Sequence, residues 1–305
     1  RSSTILSIRE RIRWDVERLI KIDRKLDANG LIYTADDVID EFNRYSMEYS
    51  LFNYMESIIA KLKQNGNIRT SETYRATLNS FKKFRKDEDI MLDCITSEVM
   101  ENFEAWHKSR GVAPNSISFY TRILRAVYNR AVENDIIENR NPFRHVYTGV
   151  DKTVKRALSL SVIKKIKTLE LSLTPALDFA RDMFMMSFYL RGMSFIDMAF
   201  LRKTDLKNGY ITYRRRKTGQ QLIIEWTKEM QMILDKYTEN KSDYLLPVIR
   251  NPDINERCTY RNIGYNINHN LKKIAKMIGV TIPLTLYVAR HSWASAAKAK
   301  GIPIS

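Results

Sequence analysis

The sequence predicts a mainly α-helical protein of two domains that carries one small β-hairpin or sheet. Three observations support this prediction. Apolar residues recur at three- and four-residue spacing along most of the 305 residues. Alternating apolar and polar residues occur in one stretch, GYITYRRRKTGQQLIIEW. A polar and basic segment, TGVDKTVKRALS, interrupts the helical pattern, and we place the domain boundary inside it, between residues 148 and 158.

Residues 1–44 are predicted to form a helical N-terminal extension. Residues 4–28 have the pattern of one amphipathic helix that ends at Asn29-Gly30. Its apolar residues fall on one stripe: Ile8, Ile12, Val16, Leu19 and Ile20. Thr34 is the predicted N-cap of a second helix, because acidic residues follow it in the first turn.

Residues 45–150 are predicted to form a small helical domain. A helix ending at Gln64 comes first. Three further helical segments follow, RTSETYRATLNSFKKF, ITSEVMENFEAWHKSRG and PNSISFYTRILRAVYNRAVENDII, and each begins near a Thr, Ser or Asn that is a candidate cap. We expect Asn141-Pro142 to end the last of them.

Residues 151–305 are predicted to form a second domain in which helices surround the hairpin. Gly219 marks the hairpin turn, because the stretch Lys217-Thr218-Gly219 separates the two alternating runs. The apolar segment DFARDMFMMSFYL is expected to be a buried helix and not a membrane span, because Arg181 and Asp182 lie in its middle. No membrane partner is therefore expected.

The charge of the chain favours a polyanionic partner. The net charge is +16, and residues 151–305 carry 27 Lys and Arg against 13 Asp and Glu. A merely well-solvated surface is the alternative. Two cysteines far apart and four scattered histidines offer no metal-ligand spacing, so no metal is expected. So few thiols are typical of a reducing cytoplasm.

Three short patterns could bind phosphate. In YRRRKTG, strand alternation would place Arg215 and Lys217 on one face and Arg214 and Arg216 on the other. A charged edge hairpin that resists aggregation is the alternative. In YVARHSWAS, helical spacing places Tyr287 on the same face as Arg290 and His291, where an arginine can brace two phosphate oxygens. An exposed Arg-His pair is the alternative there.

The third pattern is YLRGMSFIDMAFLRKTDL. Arg191 stands beside a glycine at the end of an apolar helix. An arginine in such surroundings needs a partner, which is either an internal carboxylate such as Asp197 or an external phosphate.

The order of these elements resembles the tyrosine recombinase, or phage integrase, family, in particular integrases of bacterial mobile elements with an RGM-F-D variant. The resemblance covers roughly residues 45–305. It implies a C-shaped clamp on double-stranded DNA, made of a SAM-like core-binding domain (45–150) and an α/β catalytic domain (151–305). It also implies site-specific recombination or integration through a 3'-phosphotyrosine intermediate, without a cofactor, by a protein that forms tetramers on DNA.

The resemblance assigns roles residue by residue. Lys217 matches the hairpin lysine that protonates the leaving 5'-oxygen, and Arg290 matches the second arginine of the family. Tyr287 stands where the family has histidine. Ser194 occupies the position of the first arginine, so we hypothesise that Arg191 or Arg215 replaces it.

Further DNA contacts are expected from both domains. In the catalytic domain they come from Arg214, Arg216 and His291, and in the core-binding domain from Lys82, Lys83, Arg122 and Arg125. The family's nucleophilic tyrosine is expected after the final GIPIS, so these residues are expected to bind DNA without cutting it. The alternative is a non-catalytic DNA-binding protein or a degenerate recombinase.

Overall fold

The chain forms two compact units, Arg1–Lys152 and Thr153–Ser305, each with its own apolar core. The computed structural model describes residues 2–28, 30, 32–152, 156–250 and 255–302, with the side chains of 2–8, 10, 11, 14 and 46–48 left out. Part of the predicted boundary segment, residues 153–155, lies outside this description. The first unit includes the predicted N-terminal extension.

The first unit is helical throughout. Its helices are α1 (Ser2–Ala28), α2 (Ala35–Tyr49), α3 (Leu51–Gln64), α4 (Ile68–Arg85), α5 (Ser97–Ser109) and α6 (Pro114–Glu133). Thr34 caps α2 as predicted, because its hydroxyl accepts from the Asp37 amide while the Asp37 carboxylate accepts from the Thr34 amide. Thr96 caps α5 in the same position.

Two predicted boundaries of α6 are wrong. The helix begins with Pro114 in its first turn after Ala113, and no side chain caps it. It ends at Glu133, eight residues before the predicted Asn141-Pro142 break, because Asp135 adopts a left-handed backbone with φ of 55°. A local turn therefore stops the helix before the proline can.

The apolar stripe predicted for α1 is largely exposed. Ile12 and Val16 are 58% and 47% exposed, and Leu19 and Ile20 are exposed as well. Among the side chains of this helix that the structure describes, Ile22 and Arg18 are buried, and the Arg18 guanidinium donates to Asp15 and Asp93. An ion pair therefore contributes to holding α1 on its unit.

Among its described residues, the second unit packs six α-helices with a three-stranded antiparallel sheet. The helices are α7 (Leu160–Lys167), α8 (Pro175–Tyr189), α9 (Phe195–Ala199), α10 (Lys228–Leu234), α11 (Glu256–Met277) and α12 (Leu286–Ala299). The strands are β1 (Leu206–Lys207), β2 (Tyr210–Arg214) and β3 (Gln221–Glu225), in the order β1-β2-β3. The predicted hairpin is β2–β3, whereas β1 has too few residues to show alternation in the sequence.

Helix α8 lies at the centre of the second unit and packs against α11 and α12. It buries Met183, Phe184 and Met186 completely, as the apolar pattern predicts. The carboxylate of Asp182, which is 2% exposed, accepts from Arg181, Lys236 and the Tyr237 hydroxyl. These partners are what allow a charged residue in the middle of a buried helix. Across the described ranges, no helix is long and apolar enough to cross a membrane.

Candidate functional site

The Arg290 side chain is held against the loop that follows α8. Arg191 and Gly192 have left-handed backbones with φ of 55° and 74°, which reverse the chain after the helix. The Gly192 carbonyl then accepts from Arg290 Nε at 2.6 Å. A Cβ atom at Gly192 would lie 2.8 Å from Arg290 Cα, so only glycine permits this approach. The loop thus fixes the base of the guanidinium.

Helix α12 presents three predicted site residues together. Arg290 is half-buried, while Tyr287 is 62% exposed and contacts His291 edge to face, with ring centroids 4.7 Å apart. The same helix is tied to the beginning of its unit, because Ser292 Oγ accepts from the Leu158 amide at 2.9 Å. Arg290 and His291 therefore lie on a helix that is anchored on both sides.

The hairpin turn contradicts the predicted face assignment. Strand β2 ends at Arg214, although the Arg215 amide still donates to the Gln220 carbonyl at 2.8 Å. Residues 216–219 form the turn, and Gly219 in it has φ of 69°. Because strand alternation stops at Arg215, it does not place Lys217 on the face of Arg215. Lys217 is instead exposed on the turn.

Arg215 extends the inward face of β2, on which Ile211 is buried and Tyr213 half-buried. Burial raises the pKa of the Tyr213 phenol, and the Asp197 charge raises it further, while the Arg290 and Arg215 charges oppose the rise. Asp197 and Arg215 line the same open concavity as Tyr213, and Arg290 is held at the Gly192 loop. Nothing in the local pattern singles out Tyr213, because a tyrosine at an alternating position is ordinary in a strand.

Arg191 does not have the surroundings that were predicted for it. Its side chain is exposed, and within the described residues it has no hydrogen bond or ion pair. Asp197, the expected internal partner, accepts instead from Ser194 Oγ and from the Arg216 amide, the latter at 3.0 Å. The left-handed turn places Arg191 outside the apolar end of α8. Because its guanidinium is exposed, it needs no internal carboxylate as a partner.

The other two hairpin arginines make contacts within the protein. Arg214 Nη1 donates to the Gly219 carbonyl at 3.3 Å, across its own turn. The Arg216 guanidinium lies 3.8 Å from the ring centroid of Phe200, just after α9. An open concavity of about 590 Å³ lies beside these residues, and Asp197, Phe200 and Tyr213 form part of its wall.

The predicted DNA contacts of the first unit lie on α4 and α6. Lys82 is half-buried over the Phe52 ring at 5.1 Å, and Lys83 is exposed. Arg122 and Arg125 are exposed and donate to the Ser118 carbonyl at 3.3 Å and the Thr148 hydroxyl at 3.1 Å, respectively. These four side chains are accessible to a ligand, although Lys82, Arg122 and Arg125 also contact other groups of the protein.

A further basic surface was missed by the sequence reasoning. The outward face of α11 repeats exposed residues every three or four positions: Arg261, Tyr265, His269, Lys272 and Lys276. Helical spacing could have revealed it. No cluster of three or more metal-ligating side chains occurs in the part of the chain that the structure describes.

Comparisons with known proteins agree with this architecture. The Phage integrase SAM-like domain matches residues 50–148. The tyrosine recombinase XerD of Listeria monocytogenes is 25% identical over 244 residues, which cover 74% of this chain and 77% of that protein. XerD of Listeria innocua is 24% identical over the same coverage.

Solved structures show the same fold. A lambda integrase (75–356) dimer bound to a COC' core site has a TM-score of 0.62 at 16% identity, over 82% of this chain and 90% of that one. The Tn1549 transposon integrase (82–397), in complex with circular intermediate DNA, has a TM-score of 0.59 at 15% identity, over 83% and 88%. The fold is thus that of an integrase. The chain is therefore similar to tyrosine recombinases in sequence and to integrases in fold.

Proposed function

We propose that this chain acts in site-specific DNA recombination and that its second unit holds one phosphate of double-stranded DNA. The observation that carries the proposal is the Arg290–Gly192 contact. This contact uses Arg290 Nε. Among the described residues, neither Nη group of Arg290 has a protein partner, and the Nη groups can bind a phosphate bidentately. The net charge of +16 supports a polyanionic ligand.

The second guanidinium of the proposed site is Arg215. Arg215 is half-buried and lines the same concavity as Asp197 and Tyr213, whereas Arg191 is exposed after the left-handed turn. The two hypotheses left open by the sequence are therefore no longer equal. Ser194, at the position of the first arginine, cannot supply a positive charge, because it has a neutral hydroxyl that donates to Asp197. Arg215 therefore takes the role of that arginine.

The remaining roles follow the family chemistry. A tyrosyl oxygen attacks the phosphorus, the bond to the 5'-oxygen breaks, and Lys217 transfers a proton to that oxygen. Arg215 and Arg290 stabilise the charge that spreads over the other phosphate oxygens. Tyr287 donates a hydrogen bond to phosphate in place of the family histidine. Its phenol is 62% exposed beside His291 and can reach a ligand.

The activity that we propose for these 305 residues is DNA binding and positioning of the phosphate. The resemblance puts the nucleophile beyond the YVARHSWAS box, and no tyrosine follows Tyr287 in the sequence. Assembly into tetramers on DNA is proposed for the recombination reaction. Lys82, Lys83, Arg122 and Arg125 of the first unit are proposed to contact the DNA backbone, where contacts of this kind supply most of the affinity.

A second candidate is a non-catalytic DNA-binding protein or degenerate recombinase. It is favoured by the Ser194–Asp197 hydrogen bond, since this position has no cation. The two candidates differ in the arginine variants. A site built to stabilise a phosphate needs Arg215 and Arg290 together, whereas a simple basic surface responds equally to the loss of any exposed cation.

The experiment measures affinity for a duplex recovered by selection from a random library. We expect Arg290→Ala and Arg215→Ala each to weaken binding about 10- to 100-fold, because each removes a charge-assisted hydrogen bond. Arg191→Ala is the matched control in the same unit and should change binding less than about threefold. Equal losses in all three variants would contradict the proposed site, and absence of salt-dependent binding would contradict the proposed function.

A neutral phosphate analogue tests the same contact from the DNA side. A methylphosphonate at the contacted position removes the charge of one phosphate. If Arg290 binds that phosphate, the loss caused by Arg290→Ala should disappear on the modified duplex. An unchanged loss at every substituted phosphate would place Arg290 elsewhere.

A further inference from the structure

The turn that carries Lys217 is joined to the rest of its unit through the neighbouring residue. The Arg216 amide donates to Asp197 Oδ1 at 3.0 Å, and the Arg216 guanidinium lies 3.8 Å from the Phe200 centroid. Within the described residues, the other hydrogen bonds of residues 215–220 close the hairpin on itself. Both ends of Arg216, backbone and side chain, thus contact the segment of α9.

The Asp197 carboxylate and the Phe200 ring, which contact Arg216, are themselves held in place. Asp197 is 5% exposed, and its second oxygen accepts from Ser194 Oγ. Phe200 packs edge to face against Tyr244 and Tyr260, at centroid distances of 5.8 and 5.7 Å. The carboxylate and the ring therefore form a rigid surface on which the turn rests.

We propose that Arg216, Asp197 and Phe200, here named the Arg216 latch, are positioning residues for Lys217. This inference rests on the proposed function, in which Lys217 acts on a DNA phosphate. Arg216 is expected to bind DNA directly and its side chain is exposed, and its guanidinium is also stacked on Phe200. The latch holds Arg216 through both its backbone and its side chain. The backbone of Lys217, the next residue, is therefore positioned as well, and with it the base of the Lys217 side chain.

Trypsin tests the latch without DNA. Residues 214–217 are four consecutive basic residues, and each is a cleavage site once the turn detaches. Phe200→Leu keeps an apolar side chain but removes the aromatic face, and Phe200→Tyr keeps that face. We expect cleavage in the turn to be about fivefold faster in Phe200→Leu, which corresponds to the loss of one cation–π contact, and unchanged in Phe200→Tyr. Equal rates in both variants would overturn the role of Phe200.

A double-mutant cycle separates positioning from direct DNA contact. Arg216→Gln should weaken DNA binding about fivefold when Lys217 is present, and should have no effect in a Lys217→Ala background. Arg216→Lys, which keeps a cation over Phe200, should restore binding. The same loss in both backgrounds would show that Arg216 touches DNA itself and would overturn the latch.

The salt dependence gives an independent readout. Lys217→Ala should lower the slope of log affinity against log salt by about 0.9, the value for one phosphate contact, and adding Arg216→Gln should lower it no further. A second decrease of that size would count against the latch. If Lys217→Ala changes neither affinity nor slope, the proposed function of Lys217 fails, and the trypsin comparison alone then decides whether the latch exists.

Discussion

Replacing Gly192 with alanine should disrupt the proposed phosphate site from behind. At φ of 74° an alanine costs about 1–2 kcal/mol of backbone strain. The new Cβ would lie 2.8 Å from Arg290 Cα and 3.1 Å from its Cβ. Neither atom can rotate away, so α12 or the loop must shift. Such overpacking costs about 1–3 kcal/mol.

Gly209 provides the matched control for this substitution. It has φ of 76° in the same unit, and a Cβ atom there would meet no other atom within 4 Å. Gly209→Ala therefore measures the backbone strain alone. The difference between the two variants, about 2 kcal/mol, isolates the contact with Arg290.

Thermal unfolding and DNA binding together check the prediction. The difference of about 2 kcal/mol corresponds to a Tm lower by roughly 4–8 °C in Gly192→Ala than in Gly209→Ala. DNA affinity should fall in Gly192→Ala and remain unchanged in Gly209→Ala, since only the first displaces the guanidinium. Equal melting temperatures in the two variants would refute the close approach of Gly192 and Arg290.

Two further predictions concern buried polar groups. His107 is 3% exposed, its Nδ1 has no partner, and burial followed by the Arg110 charge lowers its pKa. Its protonation therefore favours the unfolded state: stability is complete above the ordinary pKa of about 6.5 and falls below it by up to about 1.4 kcal/mol per pH unit. Denaturant unfolding between pH 7 and 5 should show this fall, which His107→Gln removes and His145→Gln, at an exposed site, does not. Asp182→Ala should cost about 3–5 kcal/mol, because it leaves Arg181 and Lys236 without this carboxylate, whereas Tyr237→Phe should cost about 1 kcal/mol in the same unfolding assay. Similar losses in both variants would contradict that account of the network.

Most helices could be predicted from the sequence because their determinants are local. The capping box of Thr34 and Asp37 and the ends of α3 and α12 depend on residues within one turn. The errors occurred where local signals competed. The end of α6 was assigned to Asn141-Pro142, but a left-handed residue, Asp135, reverses the chain first. The apolar stripe of α1 indicated a helix correctly, yet four of its residues are exposed.

The candidate site likewise has parts that the local sequence predicts and parts that it does not. Periodicity placed Tyr287, Arg290 and His291 together on α12, since three- and four-residue spacing is a property of the helix itself. Strand alternation failed at Lys217, because the strand ends at Arg214, one residue after Tyr213 on the inward face. Where a strand stops depends on its pairing partner, which the local pattern does not show.

The sequence by itself determined the mainly helical class, the single hairpin with Gly219 in its turn, and the basic character of the second unit. It also carried the ordered motifs that resemble those of tyrosine recombinases. Tertiary structure decided where Arg290 is held, what Asp197 binds, and that Arg216 rests on Phe200. The physical reason is range: helix periodicity and turn chemistry act within a few residues, whereas Gly192 and Arg290 meet across 98 positions of the chain.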